Sequence, residues 1–263
     1  MARKFETDWT ADRRTYLRAV GAIGAAGAST AIAGCLGDQE EIVPGTASGF
    51  APFEYINDDG DLVGFDVELA EEAIDRAGYG VGDWVDQEFD TLLASLQNED
   101  FDLAAAALSI TPERQQNVDF TDPYYEVNQA VVVREGGDFS PSGTDDLSGR
   151  VIGAQGGTTG EGEVDKLIDD GVVDEDDKRT YDNYVLAIED LENGNIDAVV
   201  VDVPVARNFA DSRSVEVAFT IETGEQYAFA MRNGDERIPE INDALTEIQD
   251  DGTYDDLVQK YFQ

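Results

Sequence analysis

Three short stretches hold residue types that recognise small charged molecules. Arg114 closes Ser109-Ile110-Thr111-Pro112-Glu113-Arg114, just after the apolar run Phe101 to Leu108. A guanidinium there grips a carboxylate bidentately, although in so acidic a chain it also suits a surface ion pair. Asp202 ends Ala198-Val199-Val200-Val201. Its carboxylate emerges at the carboxyl end of a strand, where open α/β sheets bind ligands, or else it caps the next helix. Gln155-Gly156-Gly157-Thr158-Thr159-Gly160 follows a strand and opens a helix, a place where backbone N–H groups and the helix dipole attract an anion. It lacks both the GxGxxG spacing and the lysine of a phosphate loop, so it reads as a carboxylate cradle or an ordinary glycine turn. Phe50, Phe53 and Phe89 offer aromatic faces, each equally fit for a core. Taken together, these groups match a zwitterionic amino acid. Arg114 and the N–H groups would hold its α-carboxylate, Asp202 its α-ammonium, and a phenyl face its side chain.

The elements that must position these groups follow from periodicity. Glu54-Tyr55-Ile56 and Leu62-Val63-Gly64-Phe65 flank an Asn-Asp-Asp-Gly-Asp turn and predict a β-hairpin. Val67, Ala70, Ile74 and Ala77 recur at helical spacing before Gly78, and Leu92, Leu93 and Leu96 predict a second helix. Phe101 to Leu108, almost wholly apolar, reads as a buried strand, which indicates βαβ units and a parallel sheet covered on both faces. The pattern then repeats. A strand is expected at Ala130 to Val133, a loop at Phe139 to Ser148 and a strand at Val151 to Ala154. An acidic helix follows from Glu161, then a helix from Tyr184 to Leu191 broken at Gly194, and a strand at Asp197 to Val201. Helices at Pro239 to Ile248 and Tyr254 to Phe262 end the chain. Two α/β lobes fit this succession.

Composition excludes other chemistries. The 263 residues contain no His, one Cys, 58 Asp or Glu and 17 Lys or Arg, for a net charge of −41. Histidine-dependent relays, zinc helices, disulfide frameworks and CxxC pairs are therefore absent, and no metal or cofactor is expected. Such a charge repels phosphate backbones, so nucleic acid is not an expected partner. The acids are spread along every segment, which suits a surface kept hydrated in molar salt. At the start, Asp12-Arg13-Arg14-Thr15-Tyr16-Leu17-Arg18 precedes the uncharged run Ala19 to Ala33 and Ile32-Ala33-Gly34-Cys35. This segment resembles a twin-arginine export signal closed by a lipobox, of a halophilic archaeal type. That implies cleavage before Cys35, lipidation of its sulfur, a short acidic tether at 36–41, and residence outside the cell on the membrane face. Asp12 and Tyr16 depart mildly from the usual signal.

A broader resemblance rests on an ordered set of motifs. These are Phe50-Ala51-Pro52-Phe53-Glu54-Tyr55, Gly64-Phe65-Asp66-Val67-Glu68-Leu69, Phe89-Asp90, Ser109 to Arg114, Val118 to Tyr125, Gly157-Thr158-Thr159 and Asp251-Gly252-Thr253-Tyr254. From Ile42 to Gln263 the chain is similar to the family 3 polar amino-acid solute-binding proteins of ABC importers. The resemblance implies a type II periplasmic-binding-protein fold, with lobe 1 at 42–124 plus 227–263, lobe 2 at 128–223, and crossovers near Tyr125 to Val127 and Gly224 to Gln226. It implies ligand-binding roles for Phe50 and Phe89 as the aromatic sandwich, Ala107 and Ser109 at a strand end, and Arg114 as carboxylate clamp. Thr158 and Thr159 match the helix N-terminus that joins the clamp, and Asp202 the acid that receives the ammonium. Ala47 stands where an acid often reads the ligand side chain, and Gln155 where a lysine sometimes does. Losing both charges points toward a neutral polar side chain such as Gln or Asn. A monomer that delivers its amino acid to permease subunits is expected. The alternatives are a receptor for a chemotaxis transducer or a dehydratase-type enzyme on the same fold.

Overall fold

The computed structural model describes residues 40–263. The expected export signal, Cys35 and most of the tether at 36–41 lie outside the described residues.

Ten strands build two five-stranded sheets. In chain order they are β1 (Pro44–Thr46), β2 (Val85–Asp86), β3 (Leu103–Ala104), β4 (Val118–Phe120), β5 (Tyr125–Arg134), β6 (Ile152–Gln155), β7 (Lys178–Tyr181), β8 (Ala198–Asp202), β9 (Val215–Tyr227) and β10 (Ala230–Arg232). The first sheet has the order β2-β1-β3-β10-β4 and the second β7-β6-β8-β5-β9. In the first, β1 is parallel to β2 and β3 while β10 runs against β3 and β4. In the second, β6 is parallel to β7 and β8 while β5 runs against β8 and β9. The expected all-parallel sheets are thus corrected to mixed sheets with one reversed strand each. The reversed strand is the one by which the chain enters that sheet from the other: β5 comes directly from the β4 side, and β10 directly after β9.

Seven helices cover the sheets: α1 (Phe65–Arg76), α2 (Phe89–Gln97), α3 (Thr159–Asp169), α4 (Tyr184–Asn193), α5 (Val203–Ser212), α6 (Ile238–Asp250) and α7 (Thr253–Phe262). Their inward faces are the apolar positions read from spacing, such as Val67, Ala70 and Ile74 of α1, all buried. Helix α1 ends at Ala77 with Gly78 next in the left-handed region, and α4 ends on Gly194, also left-handed. Helix α3 starts two residues earlier than expected because the Thr158 hydroxyl accepts from the Glu161 N–H and caps it. The expected hairpin forms, with Tyr55–Ile56 antiparallel to Leu62–Val63. The loop at Phe139 to Ser148 contains one 3-10 turn, Thr144–Leu147.

The apolar run Phe101 to Leu108 is buried as expected, but only Leu103–Ala104 lies in the ladder. The backbone leaves the sheet because Ala107 adopts φ +46°. Its N–H is held by the Asp66 carboxylate at 2.7 Å instead of by a strand. That departure carries Ala106, Ala107 and Ser109 to the rim of the sheet. Among the described residues no helix is long and apolar enough to cross a membrane.

Candidate functional site

The strand order 2-1-3 occurs in both sheets, so each has a switch point where two parallel strands diverge at their carboxyl ends. Ala47 follows β1, Ala106 and Ala107 follow β3, Gln155 ends β6 and Asp202 ends β8. These ends line a single cavity, closed further by Phe50, Glu54, Phe89, Ser109, Arg114, Thr158 and Thr159. All nine residues singled out from the sequence are brought to it: Phe50, Phe89, Ala107, Ser109, Arg114, Gln155, Thr158, Thr159 and Asp202. Phe53 is instead fully buried among Phe65, Tyr125, Tyr227 and Phe262.

Arg114 is placed by a 3-10 turn, Arg114–Gln116. Its Nη1 donates to the Ser109 carbonyl at 2.8 Å and its Nη2 to the Gly157 carbonyl at 3.0 Å, so the side chain spans from one sheet's loops to the other's. Its Cζ lies 5.4 Å from the Phe89 ring centroid, a cation–π contact that fixes the plane of the guanidinium. The two sheets also meet where the rings of Phe50 and Tyr184 stand 5.6 Å apart. At Gly157, φ is +75° and an added Cβ would come within 3.2 Å of Asp90 Cα.

Asp202 is 3% exposed. It occupies the cap position of α5, but its side chain makes no cap bond. Its Oδ1 accepts from Gln129 Nε2 at 2.9 Å, and the Tyr227 hydroxyl faces it outside ordinary hydrogen-bond geometry. Burial, and next the charge of Glu225, push its carboxyl up to about 7. Gln129 is a hub whose Nε2 also reaches Thr159 Oγ1 and Glu225 Oε1, both at 3.2 Å. Glu225 Oε2 accepts from the Ser109 hydroxyl at 2.7 Å.

The anion cradle is narrower than the glycine turn suggested. Gly156 N–H donates to the Tyr181 carbonyl, and Gly157 N–H to Glu161 Oε2, which reaches back as in a capping box. The N–H groups of Thr158 and Thr159 have no acceptor among the described residues and remain for a ligand.

Two wall residues escaped the sequence reading, Ala106 and Glu54. Glu54 is 1% exposed, lines the cavity, and has an Oε2 without a partner. Burial first, then Asp66, Asp202 and Asp86, hold its pKa well above the usual carboxylate range. Its signal was an acid inside the otherwise apolar Phe50 to Tyr55 run. Gln129 and Glu225 also escaped, since each lies on a strand that the sequence divided. Facing Arg114, the cavity therefore presents Asp202 and Glu54, with Glu225 behind Ser109. Among the described residues no group of three metal-ligating side chains is placed to hold an ion.

Residues 42–263 match the family described as "Bacterial extracellular solute-binding proteins, family 3". The chain is 36% identical over 219 residues to a probable histidine-binding protein of Neisseria gonorrhoeae, a match covering 81% of this chain and 80% of that one. It is 31% identical over 231 residues to the arginine-binding extracellular protein ArtP of Bacillus subtilis, covering 85% and 87%. Among solved structures, an ancestral arginine-binding protein bound to arginine superimposes with a TM-score of 0.80 at 36% identity, covering 86% and 99%.

Proposed function

Since the chain belongs to the family 3 extracellular solute-binding proteins, with the two-lobed type II periplasmic-binding-protein fold, we propose that its cavity traps the zwitterionic head of one amino acid. The protein is an amino-acid-binding protein of an ABC importer. The observation that carries the site assignment is the convergence of Arg114 and Asp202, from different sheets, on one enclosed cavity. The α-carboxylate lies on Arg114 with the Thr158 and Thr159 N–H groups, and the α-ammonium on Asp202. Phe50 and Phe89 flank the ligand, and Ala107, Ser109 and Gln155 complete the wall. The lobes, 42–124 plus 227–263 and 128–223, close about the crossovers at 125–127 and 224–226. Closure matters in salt, because exposed charges are screened within about 3 Å at 1 M ionic strength and a charged ligand must be taken out of solvent to be held electrostatically.

The histidine- and arginine-binding relatives support a basic side chain over the neutral one that Ala47 and Gln155 suggested. Glu54, buried and with its pKa held well above the usual carboxylate range, has an Oε2 without a partner and offers the side chain a hydrogen bond. The mature chain is a lipoprotein adapted to high salt, exported by the twin-arginine route and anchored through Cys35 outside the cell. It acts as a monomer that delivers its ligand to permease subunits.

A thermal-shift screen of the amino acids in molar KCl tests the function. A basic amino acid raises the melting temperature by mass action. No shift with any amino acid removes the assignment. Glu54 and Asp202, both raised in pKa and both lining the cavity, are the groups that favour an enzymatic reading, and turnover of a bound amino acid would establish it.

A further inference from the structure

Two residues outside the cavity wall, Gln129 and Glu225, connect Asp202 to the opposite sheet. Gln129, on β5, is fully buried, and the register sets it directly opposite Asp202. Its Nε2 faces three oxygens: Asp202 Oδ1 at 2.9 Å, and Thr159 Oγ1 and Glu225 Oε1 at 3.2 Å each. Its own Oε1 has no partner. Glu225 lies on β9 where that strand pairs with Val127, two residues before Tyr227, which is bridged to Ser109 beside the first sheet. The Ile110 N–H donates to the Gln226 carbonyl at 2.8 Å and secures the same junction. Glu225 Oε2 accepts from the Ser109 hydroxyl at 2.7 Å while Oε1 accepts from Gln129. One carboxylate thus joins a wall residue of the first sheet to the residue that holds Asp202 in the second.

This cluster is short of donors. An amide nitrogen carries two protons, and here three acceptors compete for them. An ammonium brings three protons and would relieve the shortage at Asp202. The charged and titratable groups around Asp202 are Glu225 and Tyr227 from β9, Tyr184 from α4, Glu54 from the hairpin and Arg114 across the cavity. After burial itself, Glu225 does most to strengthen the hold of Asp202 on its proton, whereas the bond from Gln129 weakens that hold.

We propose that Glu225 is a positioning residue for amino-acid capture: through Gln129 it sets how Asp202 meets the ligand's ammonium, and through Ser109 it ties that setting to the wall of the other sheet. This rests on the amino-acid reading above and gives a role to a residue that does not line the cavity. The links are direct hydrogen bonds between buried or half-buried groups, so molar salt does not screen them away. With Glu225 charged, Asp202 keeps its proton until the ammonium arrives and takes its place. Glu225 therefore sets the pH range over which the ligand is captured and released.

The test uses the full chain in molar KCl with the variants Glu225→Gln and Gln129→Leu. Carbon-13 carboxyl signals of labelled aspartate, followed from pH 5 to 9 without ligand, report Asp202 directly, and the signal missing in Asp202→Asn identifies it. Asp202 loses its proton at lower pH in Glu225→Gln and at higher pH in Gln129→Leu. Calorimetry with L-lysine, L-arginine, L-histidine and L-glutamine then reads capture. For whichever of them binds, the ratio of the affinity at pH 8 to that at pH 5 shrinks at least about threefold in Glu225→Gln, and it grows in Gln129→Leu. A merely structural loss lowers affinity by one factor at every pH. Melting curves show whether each variant is folded; if Gln129→Leu is not, Glu225→Gln, at a half-buried position, decides. An Asp202 signal unmoved in Glu225→Gln, or a loss of affinity that is the same at every pH, overturns the proposal and leaves amino-acid binding standing. Binding of none of the four amino acids overturns both.

Discussion

With the ligand's ammonium on Asp202, as proposed, binding is coupled to that residue's own proton. In the ligand-free protein, burial and Glu225 push the carboxyl up to about 7. Near neutrality, then, a large share of molecules carry a proton where the ammonium must face a carboxylate. An ammonium in contact favours the charged form, so the pKa in the complex is lower than in the free protein. The ligand therefore binds the deprotonated protein. Affinity is full above pH 7 and falls as the pH drops through that value. Each unit below it costs about 1.4 kcal/mol, a factor of ten, so binding at pH 5 is about a hundredfold weaker than at pH 8. Calorimetry from pH 5 to 8 in molar KCl, repeated in two buffers of different ionisation enthalpy, measures both the affinity and the proton released. Asp202→Asn removes one released proton. A constant affinity over that range, or tighter binding in acid, would refute this account of Asp202.

Arg114→Ala removes the one cationic side chain lining the cavity and leaves the ligand carboxylate buried without its charge partner. Breaking such a pair costs about 3–5 kcal/mol, so binding weakens at least a hundredfold by calorimetry, while Arg114→Lys, which keeps charge without the bidentate fork, is intermediate. Dialysis to dilute buffer unscreens the repulsion among the acids behind the net charge of −41, and far-UV circular dichroism records loss of structure that returns with salt. If Cys35 carries the proposed lipid, Cys35→Ala moves the protein from the detergent phase to the aqueous phase in a partitioning assay; unchanged partitioning removes the anchor.

The elements that read clearly from the chain are those whose periodicity is local. Helix α1 shows its face through Val67, Ala70 and Ile74, and α4 shows its end through Gly194. The site residues were legible wherever charge met a strand end, as at Asp202 and Arg114. The long strands β5 and β9 were not read at full length, because around Tyr125 to Asn128 and Thr223 to Tyr227 they are mostly polar and lack the Val-rich signature of β8. Gln129 and Glu225 were lost with them, although the register pairs Gln129 with Asp202. Glu54 was hidden by its hairpin, since a polar residue beside a turn ordinarily faces water. Only the closing of the Phe50 to Glu54 bridge turns it inward. The turn at Ala107 depends on the distant carboxylate of Asp66, a contact between residues 41 positions apart that no local pattern encodes.

The most direct measurement is a crystal structure grown in high salt with L-lysine or L-arginine. The account predicts the α-carboxylate within hydrogen-bond reach of the Arg114 guanidinium and the Thr158 and Thr159 N–H groups, with the α-ammonium on Asp202. An amino acid lodged outside this cavity, or one whose ammonium and carboxylate are exchanged between those two residues, would contradict it.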